Sequence, residues 1–219
     1  MRAMLTLGLL ACLFAARATA TVGGDISEAF SDSVMHCVRN TGGWDFMIVR
    51  SYHSYGSPDP NAGVMLSRAA AAGIPYRDIY HFPCRSKDAA HQVREDIDAV
   101  GAGNFGQIWF DIETNGSPGC GWSGDKGSNC QFLADMINAA KAKGKSPGVY
   151  ASQYMWDSIM GSGCTAGHDN GAVLWYAHYD GRQSFSDYVP FGGWAHPNVK
   201  QYGDSVPYCG ISADADWYP

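Results

Sequence analysis

The sequence predicts an α/β fold, a modified TIM-like (β/α) barrel with eight strands and fewer helices. Eight short apolar runs recur along the chain, and amphipathic stretches lie between several of them. Strands that alternate with helices are typical of a mostly parallel sheet, and eight of them suggest closure into a barrel. A full barrel typically needs about 250 residues, so some of its helices must be short or missing here.

The eight apolar runs are residues 22–26, 46–50, 75–82, 107–113, 147–151, 173–177, 198–202 and 211–217. Helices are expected at 62–72, 89–101 and 130–143, where the last shows apolar residues at 3.6-residue spacing. Gly144 follows as a natural C-cap. An open doubly wound sheet is the alternative, but no G-x-G-x-x-G turn follows the first run.

The first 20 residues have the pattern of a secretory signal peptide. Arg2 is the basic region, residues 5–14 are apolar, and Ala18-Thr19-Ala20 is a small-residue cleavage site. An uncleaved anchor is the alternative, disfavoured by the short apolar core. We therefore expect a signal peptide at 1–20 and a single catalytic barrel domain at 21–219. The protein would be secreted, to the extracellular space or into a phagosomal or digestive lumen.

The composition of the chain limits the classes of partner that the protein can have. The chain is 46% hydrophobic and 16% charged with a net charge of −6, which argues against disorder and against a nucleic-acid-binding surface. No apolar stretch of about 20 residues follows the N-terminus, so no membrane-spanning helix is expected in the body of the chain. We expect a monomer that has no nucleic-acid or membrane partner.

The cysteines that remain after residue 20 are even in number, which in a secreted chain indicates three disulfides. They are Cys37, Cys84, Cys120, Cys130, Cys164 and Cys209. A Cys37–Cys209 bridge is expected because a closed barrel brings the two ends of the chain together. A Cys120–Cys130 bridge within one loop is the second expectation. Structural zinc is disfavoured because no C-x2-C or C-x4-C pair occurs.

The fourth run carries the chemistry, because it is apolar until it ends in two carboxylates. Asp111 and Glu113 share one strand face, and the C-terminal ends of barrel strands are where active sites lie. Glu113, flanked by another carboxylate and apolar walls, should hold its proton to higher pH, as a general acid at a glycosidic oxygen must. A solvated strand end and a divalent metal site are the alternatives.

Two further acids lie on the first and last strands, which become neighbours when the sheet closes into a barrel. Asp25 is on the first run and Asp214 on the last. We therefore expect both to converge with Asp111 and Glu113 at one mouth of the barrel, although each alone is also typical of a turn or cap.

Short segments along the whole chain carry a family resemblance when they are taken in order. They are GDIS at 24–27, IVRSY at 48–52, YHF at 80–82, WFDIE at 109–113, GVY at 148–150, LWYA at 174–177, KQY at 200–202, and Asp214. With this ordered set the chain resembles the secreted lysozymes of glycoside hydrolase family 25, of the kind found in nematodes and amoebae.

The resemblance implies a retaining N-acetylmuramidase that cleaves the β-1,4 bond after N-acetylmuramic acid in bacterial peptidoglycan, without a cofactor. It implies that Glu113 is the general acid/base and that Asp111 stabilises positive charge at the anomeric carbon by orienting the substrate's 2-acetamido group. Asp25 and Asp214 match the two further acidic positions.

Aromatic residues on or beside the strands are candidates for sugar binding, because sugar faces stack on rings and tyrosine hydroxyls can bond acetamido groups. The candidate substrate-binding residues are Tyr80, Tyr150, Trp175, Tyr179 and Gln201. For any single ring, barrel core is the alternative role. No H-x-H or H-E-x-x-H spacing occurs, so no metal site is expected, and no G-x-S-x-G turn indicates a serine hydrolase.

Two other functions compete with the muramidase. A family 18 chitinase also ends a barrel strand in D-x-E but carries more acids upstream, where this chain has Gln107 and Trp109. A secreted glycan-binding lectin would lack part of the carboxylate cluster.

Asn115-Gly116-Ser117 forms an N-x-S sequon. We expect Asn115 to be unmodified and the loop 114–129 to border the substrate groove.

Overall fold

The computed structural model describes residues 20–219, so the predicted signal peptide lies outside the described residues except for Ala20. The strands are β1 (Thr21–Ile26), β2 (Phe46–His53), β3 (Ser57–Pro58), β4 (Tyr76–His81), β5 (Gln107–Asp111), β6 (Ser146–Ala151), β7 (Val173–Ala177), β8 (Val199–Tyr208) and β9 (Ile211–Tyr218). The helices are α1 (Asp32–Asn40), α2 (Ala62–Ala71), α3 (Ala89–Val100), α4 (Lys126–Ala142), α5 (Gln153–Ile159) and α6 (Ala166–Asp169).

Eight of these strands close into a barrel, which confirms the predicted fold class. The ring runs β1-β9-β8-β7-β6-β5-β4-β2 and returns to β1, while the short β3 pairs only with β2. Six pairings are parallel, and β9 runs antiparallel to both neighbours because a tight hairpin joins it to β8. Asp25 and Asp214 are direct partners in the β1–β9 register.

The predicted elements are all present, with shifted ends and some additions. The strand that was expected to reach Glu113 ends at Asp111, which leaves Glu113 two residues beyond β5. The hairpin strand β8 continues to Tyr208 instead of ending at Tyr202. The helices α1, α5 and α6 were not predicted; α5 and α6 have only 7 and 4 residues, too few for a clear periodic pattern.

Two apolar cores flank the strands. The outer core lies between the strands and helices and includes Phe110 and Ile112. The inner core fills the barrel and includes Trp109 and Trp175. The predicted alternation of faces therefore holds, because Trp109 and Asp111 point into the barrel. Gly148 makes room for this filling, since a Cβ there would lie 2.2 Å from Cε3 of Trp109.

Three disulfides lie within residues 20–219, in agreement with the expected number. The Cys37–Cys209 bridge is confirmed and spans 172 residues of sequence, a constraint worth about 4–5 kcal/mol in the chain-entropy model. The Cys120–Cys130 expectation is wrong: the bonds are Cys84–Cys120 and Cys130–Cys164. The partners follow barrel neighbours, because Cys120 joins the loop after β4, whereas Cys130 in α4 faces the segment between α5 and α6.

Candidate active site

All nine predicted site residues line one cavity of about 220 Å³ at the mouth formed by the C-terminal ends of the parallel strands. They are Asp25, Tyr80, Asp111, Glu113, Tyr150, Trp175, Tyr179, Gln201 and Asp214, and Asp204 joins them. The structure therefore brings the four predicted acids together at one mouth of the barrel.

The acids differ in exposure. Asp25 and Asp111 are buried, at 8% and 6% exposure, whereas Glu113 and Asp214 are partly exposed at the opening. Trp122 donates its ring N–H to the backbone carbonyl of Glu113 at 2.7 Å, which holds the segment after β5 in place. Glu113 is thus the acid of the Asp111–Glu113 pair that a ligand entering the mouth reaches first.

Burial and mutual repulsion favour the protonated forms of these acids. The pKa of Glu113 is raised by burial and then by the charges of Asp214 and Asp204. The pKa of Asp111 is raised well above its ordinary value by burial, Glu113 and Asp25. Burial and Asp214 raise the pKa of Asp25 to about 8. A carboxylic acid that keeps its proton near neutral pH can act as a proton donor.

Gln201 ties the acids to the tyrosines. Its Nε2 donates to Oδ2 of Asp25 at 2.6 Å and to Oδ2 of Asp214 at 3.2 Å. Its Oε1 accepts the hydroxyl of Tyr150, and that hydroxyl lies 2.9 Å from the hydroxyl of Tyr179. A continuous hydrogen-bonded chain therefore runs from the rim to the buried acids and fixes their orientation.

The aromatic residues divide into floor and rim. Trp175 is 2% exposed and packs edge-on against Tyr150, with ring centroids 4.5 Å apart. Its ring N–H donates to Asp216 at 2.8 Å. Tyr179 is 51% exposed, so it is the ring that an incoming ligand meets first.

Sequence reasoning missed two acids. Asp216 is fully buried beneath the cavity, and burial and Asp25 raise its pKa well above the ordinary value. It could have been found, because Asp214-Ala215-Asp216 repeats the spacing of Asp111 and Glu113. Asp204 lies at the rim, where a register shift interrupts the β8–β9 pairing, and no sequence pattern announces an irregularity of this kind.

A second cavity continues from the first. It has a volume of about 600 Å³ and shares Asp25, Tyr80, Asp204 and Asp214 with the smaller one. It extends past Ser27 and over the β8–β9 hairpin. Among the described residues no lysine or arginine lines either cavity. Together the two cavities form a polar cleft that extends from Glu113 to the β8–β9 hairpin.

Asn115 follows Glu113 by two residues, but no residue of the loop 114–129 lines either cavity, which does not support the expectation that this loop borders the groove. The side chain of Asn115 is already bonded. It is 7% exposed, and its Nδ2 donates to the carbonyls of Ser54 at 2.7 Å and Pro83 at 3.0 Å. A glycan would have to be built on this nitrogen, so the geometry supports an unmodified Asn115. The loop that follows is tethered by Cys84–Cys120.

The described residues offer one group suited to a metal ion, and it is not the acid cluster. His178, Asp180 and Asp187 bring ligand atoms within 4.8 Å of one another outside the barrel. The ammonium of Lys200 lies 2.9 Å from a carboxylate oxygen of each aspartate and so supplies the positive charge there. Within residues 20–219 no helix is long and apolar enough to cross a membrane.

Comparison with known proteins gives consistent matches. Residues 16–202 match the protein family described as Lysozyme-like protein 1. The chain is 40% identical over 204 residues to the Dictyostelium discoideum protein named Probable GH family 25 lysozyme 2, covering 92% of each chain. It is 37% identical over 203 residues to Lysozyme-like protein 5 of Caenorhabditis elegans, covering 90% of this chain and 91% of the relative.

Solved structures show the same fold. A muramidase from Trichobolus zukalii superposes with a TM-score of 0.74 at 22% identity, over 91% of this chain and 93% of the other.

Proposed function

The chain belongs to the glycoside hydrolase family 25 lysozymes, and from that premise we propose that it is a secreted, retaining N-acetylmuramidase acting on bacterial peptidoglycan. The observation that carries the proposal is the cluster of carboxylic acids at the barrel mouth. Glu113 stands beside Asp111 there, and burial with the charges of Asp214 and Asp204 favours the protonated form of Glu113, the proton donor. The adjoining cleft suits a polymeric substrate.

In the proposed reaction Glu113 donates its proton to the glycosidic oxygen as the bond to the anomeric carbon breaks. The carbonyl oxygen of the substrate's own 2-acetamido group attacks that carbon from the opposite face. Asp111 acts here as the carboxylate: it accepts the N–H of this acetamido group, and the positive charge that the group acquires offsets the effect of burial on Asp111. Water then attacks the same carbon, Glu113 takes up the proton, and the acetamido group is released with overall retention.

The remaining acids support this pair. Asp25 and Asp214, bridged by Gln201, line the same cavity as Asp111 and contribute to the field that favours protonated acids. Tyr80, Tyr150, Trp175 and Tyr179 would contact the sugar rings and acetamido groups. We propose no cofactor, because proton transfer and substrate participation complete the chemistry.

The proposal also covers where the protein acts and its oligomeric state. We propose that residues 1–20 are a signal peptide and that 21–219 act as a single, monomeric catalytic domain outside the cytosol. Three disulfides support an oxidising environment.

The deciding experiment is mass spectrometry of bacterial wall fragments released by the protein. Fragments with N-acetylmuramic acid at the reducing end identify the cleaved bond and support the proposal. Incubation with chitin is the control, because release of chitin oligomers in place of wall fragments indicates a chitinase. Binding to walls without any cleavage indicates a lectin and contradicts the proposal.

A further inference from the structure

Lys200 has no part in the reaction proposed above, yet it is the neighbour of Gln201 on β8 and points out of the barrel. Its side chain is fully buried. The ammonium donates to the carbonyl of Ser184 at 3.0 Å and lies 2.9 Å from a carboxylate oxygen of Asp180 and of Asp187. Three acceptors thus match the three N–H groups of an ammonium.

The segment 178–188 folds around this ammonium and contains no helix or strand. The second carboxylate oxygen of Asp187 accepts hydrogen bonds from Nδ1 of His178 and from the hydroxyl of Tyr176. The backbone N–H groups of His178 and Gly181 donate to β8. Polar contacts to Lys200 and β8 therefore hold the part of the segment around Tyr179, while its later part is also held by packing of Phe185 on Trp217 and of Tyr188 on Tyr176.

Tyr179 lies between two residues of this network, His178 and Asp180, and its hydroxyl reaches Tyr150 in the cavity. We propose that Lys200 is a positioning residue, whose buried ammonium serves as the structural cation of segment 178–188 and thereby fixes Tyr179 at the substrate mouth. The inference rests on the proposed function in one respect, that Tyr179 contacts the glycan.

The network has the composition of a cation site, since His178, Asp180 and Asp187 bring ligand atoms within 4.8 Å of one another. Because the ammonium already supplies the charge, the order of the segment should be independent of divalent metal. Dialysis against a chelator should leave the amide exchange of 178–188 unchanged. A chelator-dependent rise in exchange would show that a metal fixes the segment and would overturn the proposal.

The principal test compares Lys200→Met with the wild-type protein. Lys143→Met is the matched control, since its ammonium pairs with Asp98 at 2.7 Å on the exposed surface. We expect amide exchange to rise across 178–188 in Lys200→Met alone, including the amides of His178 and Gly181 that bond β8 on either side of Tyr179. If the ordered segment is then populated about a tenth of the time, KM on soluble peptidoglycan fragments rises about tenfold while kcat changes less than about twofold.

Two results would overturn the proposal: an unchanged exchange pattern in folded Lys200→Met, or a mobile segment with an unchanged KM. If the wild-type protein does not cleave peptidoglycan, the proposed function fails, and the amide exchange of His178 and Gly181 still decides whether Lys200 orders the segment that carries Tyr179.

Asp180→Asn provides the second variant in case Lys200→Met does not fold, because it removes one charge and retains the side-chain shape. Combined with Tyr179→Ala, it forms a double-mutant cycle on KM. If the network acts through Tyr179, the double variant has a smaller effect than the two single effects combined. Additive effects would show that the network affects substrate binding by another route, against the proposal.

Discussion

Two groups of carboxylates lie on opposite sides of β8 and have opposite electrostatics. Inside the mouth, Asp25 and Asp214 share one amide from Gln201, and burial raises the pKa of both. Outside, burial also acts to raise the pKa of Asp187, but hydrogen bonds from His178 and Lys200 outweigh it and hold that pKa below the ordinary value. An aspartate side chain with no cation nearby therefore tends to keep its proton, whereas one paired with a buried ammonium stays ionised and stabilises the structure.

The two groups of acids affect the free energy of unfolding in opposite ways. Uncompensated acids at the mouth oppose folding whenever they ionise, whereas the paired acids outside stabilise the fold while they are ionised. The predictions below separate the two roles, beginning with the largest expected effect.

The largest effect is expected for Glu113→Gln. The change removes the transferable proton with little change of shape, and general acid–base catalysis typically contributes about 10²–10⁴-fold. Wall lysis, followed as turbidity clearing, should fall by about that factor while the circular dichroism spectrum stays unchanged. Near-normal lysis by a correctly folded variant would remove Glu113 from its proposed role.

The second effect concerns stability and contrasts one acid from each group. Asp187→Asn leaves the buried ammonium of Lys200 short of negative charge, and breaking such a pair should cost about 2–4 kcal/mol of unfolding free energy. Asp216→Asn replaces an acid whose protonated form burial already favours, and its oxygen can still accept from Trp175. Its unfolding free energy should change by less than about 1 kcal/mol.

Urea denaturation of both variants measures these differences directly. Equal destabilisation by the two substitutions would show that the mouth acids are ionised and paired in the folded protein, and the contrast between the groups would then be lost.

The two groups of acids also differ in whether the sequence alone could predict them. Asp25, Asp111, Glu113 and Asp214 were found because strand alternation and the order of strands in a closed barrel determine where strand-end side chains point. These are local rules, and they hold even though β5 ends earlier than predicted.

The outer group was not found, because it depends on the path of a segment with no regular structure, which folds back onto a lysine of the next strand, β8. The pairings Cys84–Cys120 and Cys130–Cys164 escaped prediction for the same reason: they join loops or helix ends whose paths are set by packing. Asp204 depends on the irregular β8–β9 pairing. Sequence periodicity predicts regular helices and strands, but it does not predict the path of the irregular segments that place these residues.

A third prediction concerns the pH dependence of stability. The pKa of Asp25 is raised from 3.8 to about 8 on folding. For an acid with a raised pKa, its stabilising contribution is complete below the unfolded value and is lost as pH rises through the folded value. The melting temperature should therefore fall by roughly 5–10 °C between about pH 4 and pH 8.

Asp25→Asn removes one titrating group and should reduce this fall, to which Asp111 and Asp216 also contribute through their raised pKa values, when melting is followed by calorimetry in buffers of constant ionic strength. A variant that keeps the full wild-type slope would show that Asp25 is already ionised in the folded protein at the lower pH.

The smallest effect expected is on the pH and salt dependence of activity. Without residues 1–20 the chain carries a net charge of −8, since that segment contains Arg2 and Arg17 and no acids. Bacterial walls are also anionic, so repulsion slows encounter at neutral pH and low salt. The lysines and arginines lie outside the cleft, so they do not offset this repulsion at the mouth.

Lysis should therefore be several-fold faster at mildly acidic pH and moderate salt, where the net charge shrinks and the remaining repulsion is screened over about 10 Å. Turbidity clearing across a grid of pH and sodium chloride concentration measures both dependences. The raised pKa of Glu113 acts in the same direction, because the proton donor is lost as pH rises. Salt screens the repulsion between protein and wall far more than it changes the protonation of Glu113. A rise in lysis rate with salt at one fixed acidic pH therefore reports the encounter step and not the loss of the proton donor. An optimum above pH 8 in low salt would contradict both arguments, because neither the net charge nor the proton on Glu113 would then limit the rate.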